Sequence, residues 1–537
     1  MGRLDALAGR RFDLAIIGGG IIGTAIARDA ALRHLSVALV EQEDLAWGTT
    51  SRSSRLIHGG LRYLAHGDFR LVRQDLHERE VLLRTAPHLV HPLPFLVPVY
   101  RRRSRWWLGL GLTIYDMLSF DRSLPGKRWL SRQEVLREEG ALAPQGLEGA
   151  YLYYDAQAPY TERLCLENAL ACAQQGGVVV TRCRSTGLLM RRGQVVGLEV
   201  EERLSGQRAQ VEARVVVNAA GPWAERWLGN AFPRPRRPLL RLTKGAHLLL
   251  PALTRHALVL FSPSDGRLFF VLPLEGLSLV GTTDTPFAGD PSQAVAQRED
   301  IDYLREGASL ALPGVRDAPL HGTYAGVRAL AFSPRRRESD VGRQHRLVDH
   351  RREGVRGLLT VLGGKATAAR AIAREVVDTA CALLGWEAES STARSLFPGA
   401  PRGEWRAWLP FQEAFLRQQT SLPPATARHL ARLYGERSAE VALLLAQNPH
   451  LAEPLCPHHP DILAQVHYAV QHEWALTPGD FFLRRTLIGL SPCHGLDALD
   501  KVVGVIKPLL GWDEAEAQRQ KEGYRREVAF WGVAHEM

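Results

Sequence analysis

Apolar and polar positions fall into blocks that switch between the periods of strands and helices. Leu14-Ala15-Ile16-Ile17 predicts a buried strand, Thr24 to Arg33 a helix, and Val37 to Val40 a second buried strand ending at Glu41. Gly18-Gly19-Gly20-Ile21-Ile22-Gly23 joins the first strand to the helix. Strand, glycine turn, helix, strand and acid is the layout of a dinucleotide-binding βαβ unit. Gly18 permits the tight turn, Gly20 lets backbone approach a pyrophosphate, and Gly23 lets the helix pack close to the sheet. The helix N-terminus offers N–H groups and a partial positive charge to the pyrophosphate, and Glu41 can accept from ribose hydroxyls.

Further along, residues 69 to 85 read as an amphipathic helix and Pro87 to Pro98 as an extended segment. Tyr151 to Asp155 reads as a strand and its turn, Thr161 to Gln174 as a helix, Val178 to Val180 as a resumed parallel strand, and Gln194 to Val211 as a β-meander. Val215 to Val217 is a buried strand running into Asn218-Ala219-Ala220-Gly221-Pro222-Trp223, a second place where backbone meets a cofactor. Residues 239 to 345 are strand-rich, with Leu248 to Leu250, Leu268 to Val271 and Leu277 to Gly281, and suit a sheet that covers a substrate. Leu358 to Leu362 is another buried strand, stopped by Gly363-Gly364-Lys365-Ala366-Thr367. The helix after it, Ala368 to Leu384, should aim its N-terminus at the cofactor. Ser391 to Pro401 breaks the pattern, and from about 403 to 535 the text is helical, without repeats or low complexity.

A chain of 537 residues can hold two to four domains, and 45% hydrophobic with 23% charged residues describes an ordinary folded protein. No run reaches the ~18 to 20 apolar residues of a membrane span. Met1-Gly2-Arg3 leads straight into the first strand with no room for a signal peptide, so the protein is expected in the cytoplasm. The six cysteines form no CxxC pair and meet no histidine cluster at zinc spacing; they read as reduced core thiols, and no metal is expected. The net charge of +10 suggests anionic partners. It is spread along the chain without a nucleic-acid motif, so nucleic acid is not among them. Only six of the 67 cations are lysine, which draws attention to Lys244 and Lys365 beside glycines.

The hydroxyl-rich stretch Thr49-Thr50-Ser51-Arg52-Ser53-Ser54-Arg55-Leu56-Ile57-His58-Gly59-Gly60-Leu61-Arg62-Tyr63 suggests a loop around a polar, ring-bearing ligand. Arg101-Arg102-Arg103-Ser104-Arg105-Trp106-Trp107, followed by the apolar run Leu108 to Leu118, admits two readings: an interfacial membrane helix, or a buried helix capped by arginines.

With these blocks placed, the chain resembles the FAD-dependent glycerol-3-phosphate dehydrogenases, a branch of the glutathione-reductase-like flavoproteins. The resemblance rests on Ile17 to Gly23, Ser53 to Leu64, Asn218 to Trp223, Lys244-Gly245-Ala246-His247, Gly281-Thr282-Thr283-Asp284, Gly326-Val327-Arg328 and Gly363-Gly364-Lys365. In the helical tail it rests on His472-Glu473-Trp474-Ala475 and Arg484-Arg485-Thr486. Ala25, Arg33-His34, Ala329 and Ala369 depart from the family's usual residues, at positions of packing and loop stiffness. The resemblance implies an α/β fold: a discontinuous FAD-binding Rossmann domain (1–90, 150–238, 346–390), a β-rich substrate or cap domain (91–149, 239–345) and an all-α C-terminal domain (391–537).

It also implies oxidation of C2 of sn-glycerol 3-phosphate to dihydroxyacetone phosphate, with hydride passing to flavin N5. His247 is the expected base, with His58 as runner-up, and a histidine titrating near neutrality suits that task. Arg62, Arg328, Arg343 and Lys365 are expected on the phosphate, with Arg328 also lowering the alcohol's pKa and Lys365 alternatively serving the flavin. Tyr63 and Thr282 are expected on the substrate hydroxyls. The expected FAD residues are Gly18, Gly20, Gly23, Glu41, Thr50, Ser51, Ser54, His58, Gly59, Gly60, Ala219, Gly221, Trp223, Gly364 and Thr367. The lack of an inserted segment such as oxidases of the family tend to carry, together with the Arg101-to-Leu118 stretch and the positive charge, favours quinone as acceptor. The protein would then be peripheral on the anionic cytoplasmic face of the inner membrane, with homodimerisation left open. The rival readings are an oxidase using oxygen, a flavin amine or amino-acid oxidase, and a flavin-bearing assembly module.

Overall fold

The computed structural model describes residues 3–64, 67–232, 238–332 and 345–531, with Arg3, Arg62, Phe530 and Trp531 described by backbone alone. The expected βαβ unit is β1 (Arg11–Ile17), α1 (Ile21–Leu32) and β2 (Val37–Val40), every residue of β2 being buried. The helix begins at Ile21, three residues before the periodicity places it, because Gly20 already serves as its N-cap. Two strands leave the unit for the same sheet: β3 (Val178–Val180) beyond β2, and β4 (Arg208–Asn218) on the far side of β1. Next come β5 (Leu358–Leu362), parallel to β4, and an antiparallel edge strand, Arg346–Asp349. These parallel strands are apolar on both faces: the helices Ile21–Leu32, Thr161–Gln174 and Ala369–Leu384 cover one, and Val195, Leu198, Val200 and Leu228 pack against the other.

A second sheet of ten strands is mostly antiparallel. It includes β6 (His91–Val99), β7 (Gly149–Gln157), β8 (Leu240–Pro251) and, paired to β8 alone, β9 (Gly322–Ala331). β6 falls inside the stretch expected to be extended, and it holds Pro92, Pro94 and Pro98 while pairing with β7 from His91 to Val99. β7 therefore belongs to this second sheet, on the far side of the domain boundary expected at residue 150. β8 and β9 run antiparallel with His247 opposite Tyr324, Gly245 opposite Gly326 and Thr243 opposite Arg328.

Side chains alternate across a strand, so this register decides which residues share a face. Gly245 and His247 look into one cavity with Gly326 and Arg328. Lys244 looks the other way, where its ammonium is 2.6 Å from Asp300 in the helix Arg298–Ser309. Of Lys244 and Lys365, each beside a glycine, Lys244 is thus a buried structural cation.

The helix over Arg102–Leu118 buries only Gly109, Leu112 and Tyr115. Trp106 and Trp107 are 81% and 76% exposed, which rules out the buried-helix reading. Gly109 is required there, because a Cβ would sit 2.3 Å from the Tyr151 hydroxyl.

The C-terminal helices, from Trp405–Thr420 to Glu514–Trp531, are joined to the first sheet by a buried ionic network. Arg484 and Arg485 reach Asp44 at 2.7 and 2.8 Å, Arg182 reaches Asp480 at 2.6 Å, and Arg163 reaches Glu473 at 2.8 Å. Removing one partner of such a pair would leave an uncompensated buried charge, at a cost of about 3–5 kcal/mol. Asp44 lies three residues past Glu41, so the helical domain fastens the loop that carries the expected ribose acid. The Arg182, Arg484 and Arg485 charges hold the Asp480 carboxyl below its usual range against the opposing effect of its burial.

Candidate active site

A cavity of about 650 Å³ runs between the two sheets, within the range of small-molecule and cofactor sites. Part of its wall is main chain. Gly18 has φ +107°, and a Cβ there would lie 2.7 Å from the Ala219 carbonyl oxygen. At Gly23 a Cβ would lie 1.9 Å from the Gly18 carbonyl oxygen, so the turn and helix α1 close only with glycine. Gly20 differs: the nearest atom to a Cβ would be the Thr50 hydroxyl at 3.6 Å. The fold itself does not require glycine there, whereas a ligand laid against that backbone would. The N-cap residue Gly20 has no side chain to offer α1, and the Ile21 N–H is instead taken by Thr50 Oγ1 at 3.2 Å. A helix N-terminus in a glycine cradle suits a dinucleotide pyrophosphate.

Glu41 accepts from the Gly19 N–H at 2.6 Å and the Glu43 N–H at 2.8 Å. Burial pushes its carboxyl up to about 7, with the nearby Asp44 charge adding to the rise and the Gly19 N–H and Arg182 opposing it. Gly364, with φ +113°, Thr367, Ala219, Gly221 and Trp223 complete this part of the wall. The Trp223 ring is tilted against Trp47 at 6.2 Å.

The rest of the wall is side chain. Arg328 Nη2 donates to Thr282 Oγ1 at 2.7 Å, and Nη1 lies 3.1 Å from Asp284 Oδ1. The guanidinium fits because residue 245 is glycine: a Cβ there would come within 2.1 Å of Arg328 Nη2. Lys365 Nζ donates to Asp75 Oδ2 at 2.5 Å and lies 3.8 Å from the centre of the Tyr63 ring. Asp75 is fully buried, and desolvation lifts its carboxyl to about 6 even though Lys365 pulls it down. Gly60, with φ +75°, leaves room for the Tyr63 ring. His58 faces the cavity edge-on to Phe270 at 6.0 Å, and its N–H donates to Thr367 Oγ1 at 3.2 Å.

His247 Nε2 is 2.9 Å from Ser54 Oγ, and its ring lies 4.9 Å from Tyr324 at 31°. Burial, then the charges of Arg328 and Arg55, push this imidazole down to about 3. The expected titration near neutrality is therefore corrected: His247 is neutral across physiological pH.

Three expected cofactor residues do not face the cavity. Gly23 works inside the turn. Ser51 donates back to the Trp47 and Gly48 carbonyls at 3.3 and 3.2 Å, closing its own loop. Gly59 packs against Leu76 and donates to the Tyr115 hydroxyl at 2.9 Å. Arg343 lies outside the described residues, as does the Arg62 side chain.

Sequence reasoning gave no role to Asp75, Gly245, Tyr324 or Asp284. Asp75 sits mid-helix in Phe69–Thr85 with no motif around it. Tyr324 carries a signal only once the pairing of β8 with β9 is known, whereas Gly245 and Asp284 stand inside the motifs Lys244 to His247 and Gly281 to Asp284.

The family model for FAD dependent oxidoreductases matches residues 13–378, and that for the C-terminal domain of alpha-glycerophosphate oxidase matches residues 390–517. A glycerol-3-phosphate dehydrogenase of Synechocystis sp. is 36% identical, with 96% of this chain and 95% of that protein covered. The aerobic glycerol-3-phosphate dehydrogenase of Escherichia coli K12 is 35% identical, with 89% of this chain and 94% of that protein covered. Among solved structures, the FAD complex of glycerol-3-phosphate dehydrogenase from Bacillus halodurans superimposes with a TM-score of 0.80. It is 26% identical and covers 100% of this chain and 98% of its own.

Proposed function

Because this chain belongs to the FAD dependent oxidoreductase family, we propose that it oxidises C2 of glycerol 3-phosphate to dihydroxyacetone phosphate. The alcohol loses two electrons and two protons. FAD, the cofactor of the family, supplies a two-electron acceptor when it is bound. The glycine turn, the α1 N-terminus and Glu41 would hold its dinucleotide part, and Thr367, His58 and Gly60 would bound its ring.

The observation that carries the substrate is the meeting of Arg328, Lys365, Tyr63 and His247, from four distant segments, in the cavity that the glycine turn also lines. A cavity with a bidentate guanidinium and an ammonium recognises a phosphate ester better than an amine or a bare carboxylate. Asp284 fixes the Arg328 fork, and Asp75 fixes Lys365 beside Tyr63. His247 is neutral, so it has a lone pair ready for the C2 hydroxyl proton, with Ser54 at hydrogen-bond distance. Its low basicity calls for help from Arg328, whose positive charge favours the departing alkoxide.

The test is anaerobic titration of the yellow protein with sn-glycerol 3-phosphate. Bleaching of the flavin band is expected with that substrate, and not with glycine derivatives. A band unchanged by the phosphate ester and bleached by an amino acid would refute the reading.

The acceptor we propose is a quinone at an anionic membrane surface. Among the described residues no helix is long and apolar enough to cross a membrane. The helix Arg102–Leu118 nevertheless exposes Trp106, Trp107, Leu110 and Met117, with Phe120 beyond its end and the exposed Arg101, Arg102 and Arg103 at its start. Aromatic rings beside arginines suit an interface between water and anionic lipid. Co-sedimentation with anionic vesicles should be lost in Trp106→Ser/Trp107→Ser while turnover with a soluble acceptor persists. Sedimentation that ignores both the variant and the lipid charge would refute it.

A further inference from the structure

Cys456, His459 and Cys493 come together in the helical domain, away from the cavity, with one ligand atom from each lying within 4.8 Å of the others. We propose that they form a zinc site that clips two loops of this domain. Cys456-Pro457-His458-His459 places a thiol and an imidazole three residues apart, as in short zinc-binding turns. That turn is tied at its neck: the Leu455 N–H donates to the Asp461 carbonyl at 2.9 Å, and Pro454 bridges Ile462. Cys493 arrives from a second loop, just past the buried turn Ile488–Leu490, and its Sγ is 4.0 Å from His459 Nε2.

Each loop leads toward a helix, Leu463–His472 or Leu499–Leu510, and the two helices share one apolar core. A metal here would fasten their N-terminal approaches across more than thirty residues of chain. Cys456 is buried, whereas His459 and Cys493 are half-exposed, so an ion has a way in. Two soft sulfurs and an imidazole select zinc over magnesium or calcium. Ser491 Oγ lies 3.2 Å from Cys493 Sγ and donates to the Ile488 carbonyl at 2.6 Å, so its hydroxyl would turn from that carbonyl to support the thiolate. Asp497 is close enough to act electrostatically on Cys456 and His459, and it adds negative charge beside the site. Binding would convert both thiols to thiolates and release two protons to solvent. The spread of ligand atoms is slightly wider than a tetrahedral zinc allows, so the loops would draw together on binding.

The experiment uses full-length, FAD-loaded protein, reduced with a phosphine, stripped with chelator and desalted. It is then given zinc chloride, desalted again and measured for zinc by mass spectrometry. About one zinc per chain is expected, with Tm raised by about 5 °C. His459→Gln and Cys493→Ser should each retain less than about half an equivalent while keeping FAD and turnover. Ser491→Ala should bind zinc about 10-fold more weakly. Cys381→Ser, far from the cluster in sequence, should match the wild type. Wild-type retention below about half an equivalent would overturn the proposal. So would equal retention by wild type and both ligand variants, or a Cys456–Cys493 disulfide whose reduction restores no zinc uptake.

Discussion

Around Gly18 to Glu41 the cavity is walled by main chain and one acid, whereas around Arg328 it is walled by side chains drawn from four separated segments. The first region depends on what is absent, namely side-chain atoms at Gly18, Gly20 and Gly23. The second depends on what is present and on what restrains it: each cation is held by a carboxylate, Arg328 by Asp284 and Lys365 by Asp75. The difference teaches how each part tolerates change. A backbone cradle fails by steric collision, and a converging cluster fails by loss of charge or of its counter-charge.

The largest expected effect breaks the cradle. Gly23→Val would force atoms into the Gly18 carbonyl and is expected to cost about 4 kcal/mol or more of stability, with no FAD retained. An added Cβ at Gly20 comes no nearer to the fold than the Thr50 hydroxyl at 3.6 Å, so Gly20→Ala should lose FAD while keeping its circular-dichroism spectrum and a cooperative melt. If both variants kept the fold and lost only flavin, Gly23 would be a ligand position after all.

Next is the cationic cluster. Arg328→Ala is expected to lower kcat/KM for glycerol 3-phosphate about 1,000-fold, or about 4 kcal/mol, with FAD content unchanged. Arg328→Lys should recover only a small part, since an ammonium cannot reproduce the fork. A fall in flavin content matching the fall in rate would assign Arg328 to the cofactor instead.

Asp75→Asn probes the restraint. Removing the fully buried partner leaves Lys365 without its counter-charge, at an expected cost of about 3 kcal/mol, read as a lower Tm and a raised KM. An unchanged Tm with an unchanged KM would show that Lys365 is placed without Asp75.

The smallest effect concerns pH. Because the folded-state pKa of His247 lies near 3, below its unfolded value near 6.5, its contribution to stability is present above 6.5 and lost as pH falls toward 3. The loss is about 1.4 kcal/mol per pH unit, so about 2 kcal/mol by pH 5. His247→Gln lacks this loss. The Tm gap between wild type and variant should therefore narrow between about pH 7 and pH 5, and a constant gap would mean that His247 titrates normally.

Much of this was legible in the order of residues. Three glycines, two apolar strands and an acid announce a βαβ turn because every interaction that needs them is local, as at Gly23 against the Gly18 carbonyl. The helix Phe69–Thr85 follows from its periodicity. Its buried Asp75 does not, since one of three acids within a helix carries no mark of the lysine 290 residues away. Lys244 and Lys365, each beside a glycine, look alike in the sequence. They part company because strand β8 pairs with β9 in a register that turns Lys244 toward Asp300 and His247 toward the cavity.

By itself, then, the order of residues determined the nucleotide turn, the kinds of element and the supply of cations, hydroxyls and histidines, since these rest on backbone sterics and short-range periodicity. Only the tertiary structure decided which cations share a cavity, how far burial lowers His247, and that Arg484 and Arg485 fasten the helical domain to Asp44. Each of those depends on groups far apart in the chain meeting where water is excluded, and there a charge is governed by its neighbours in space.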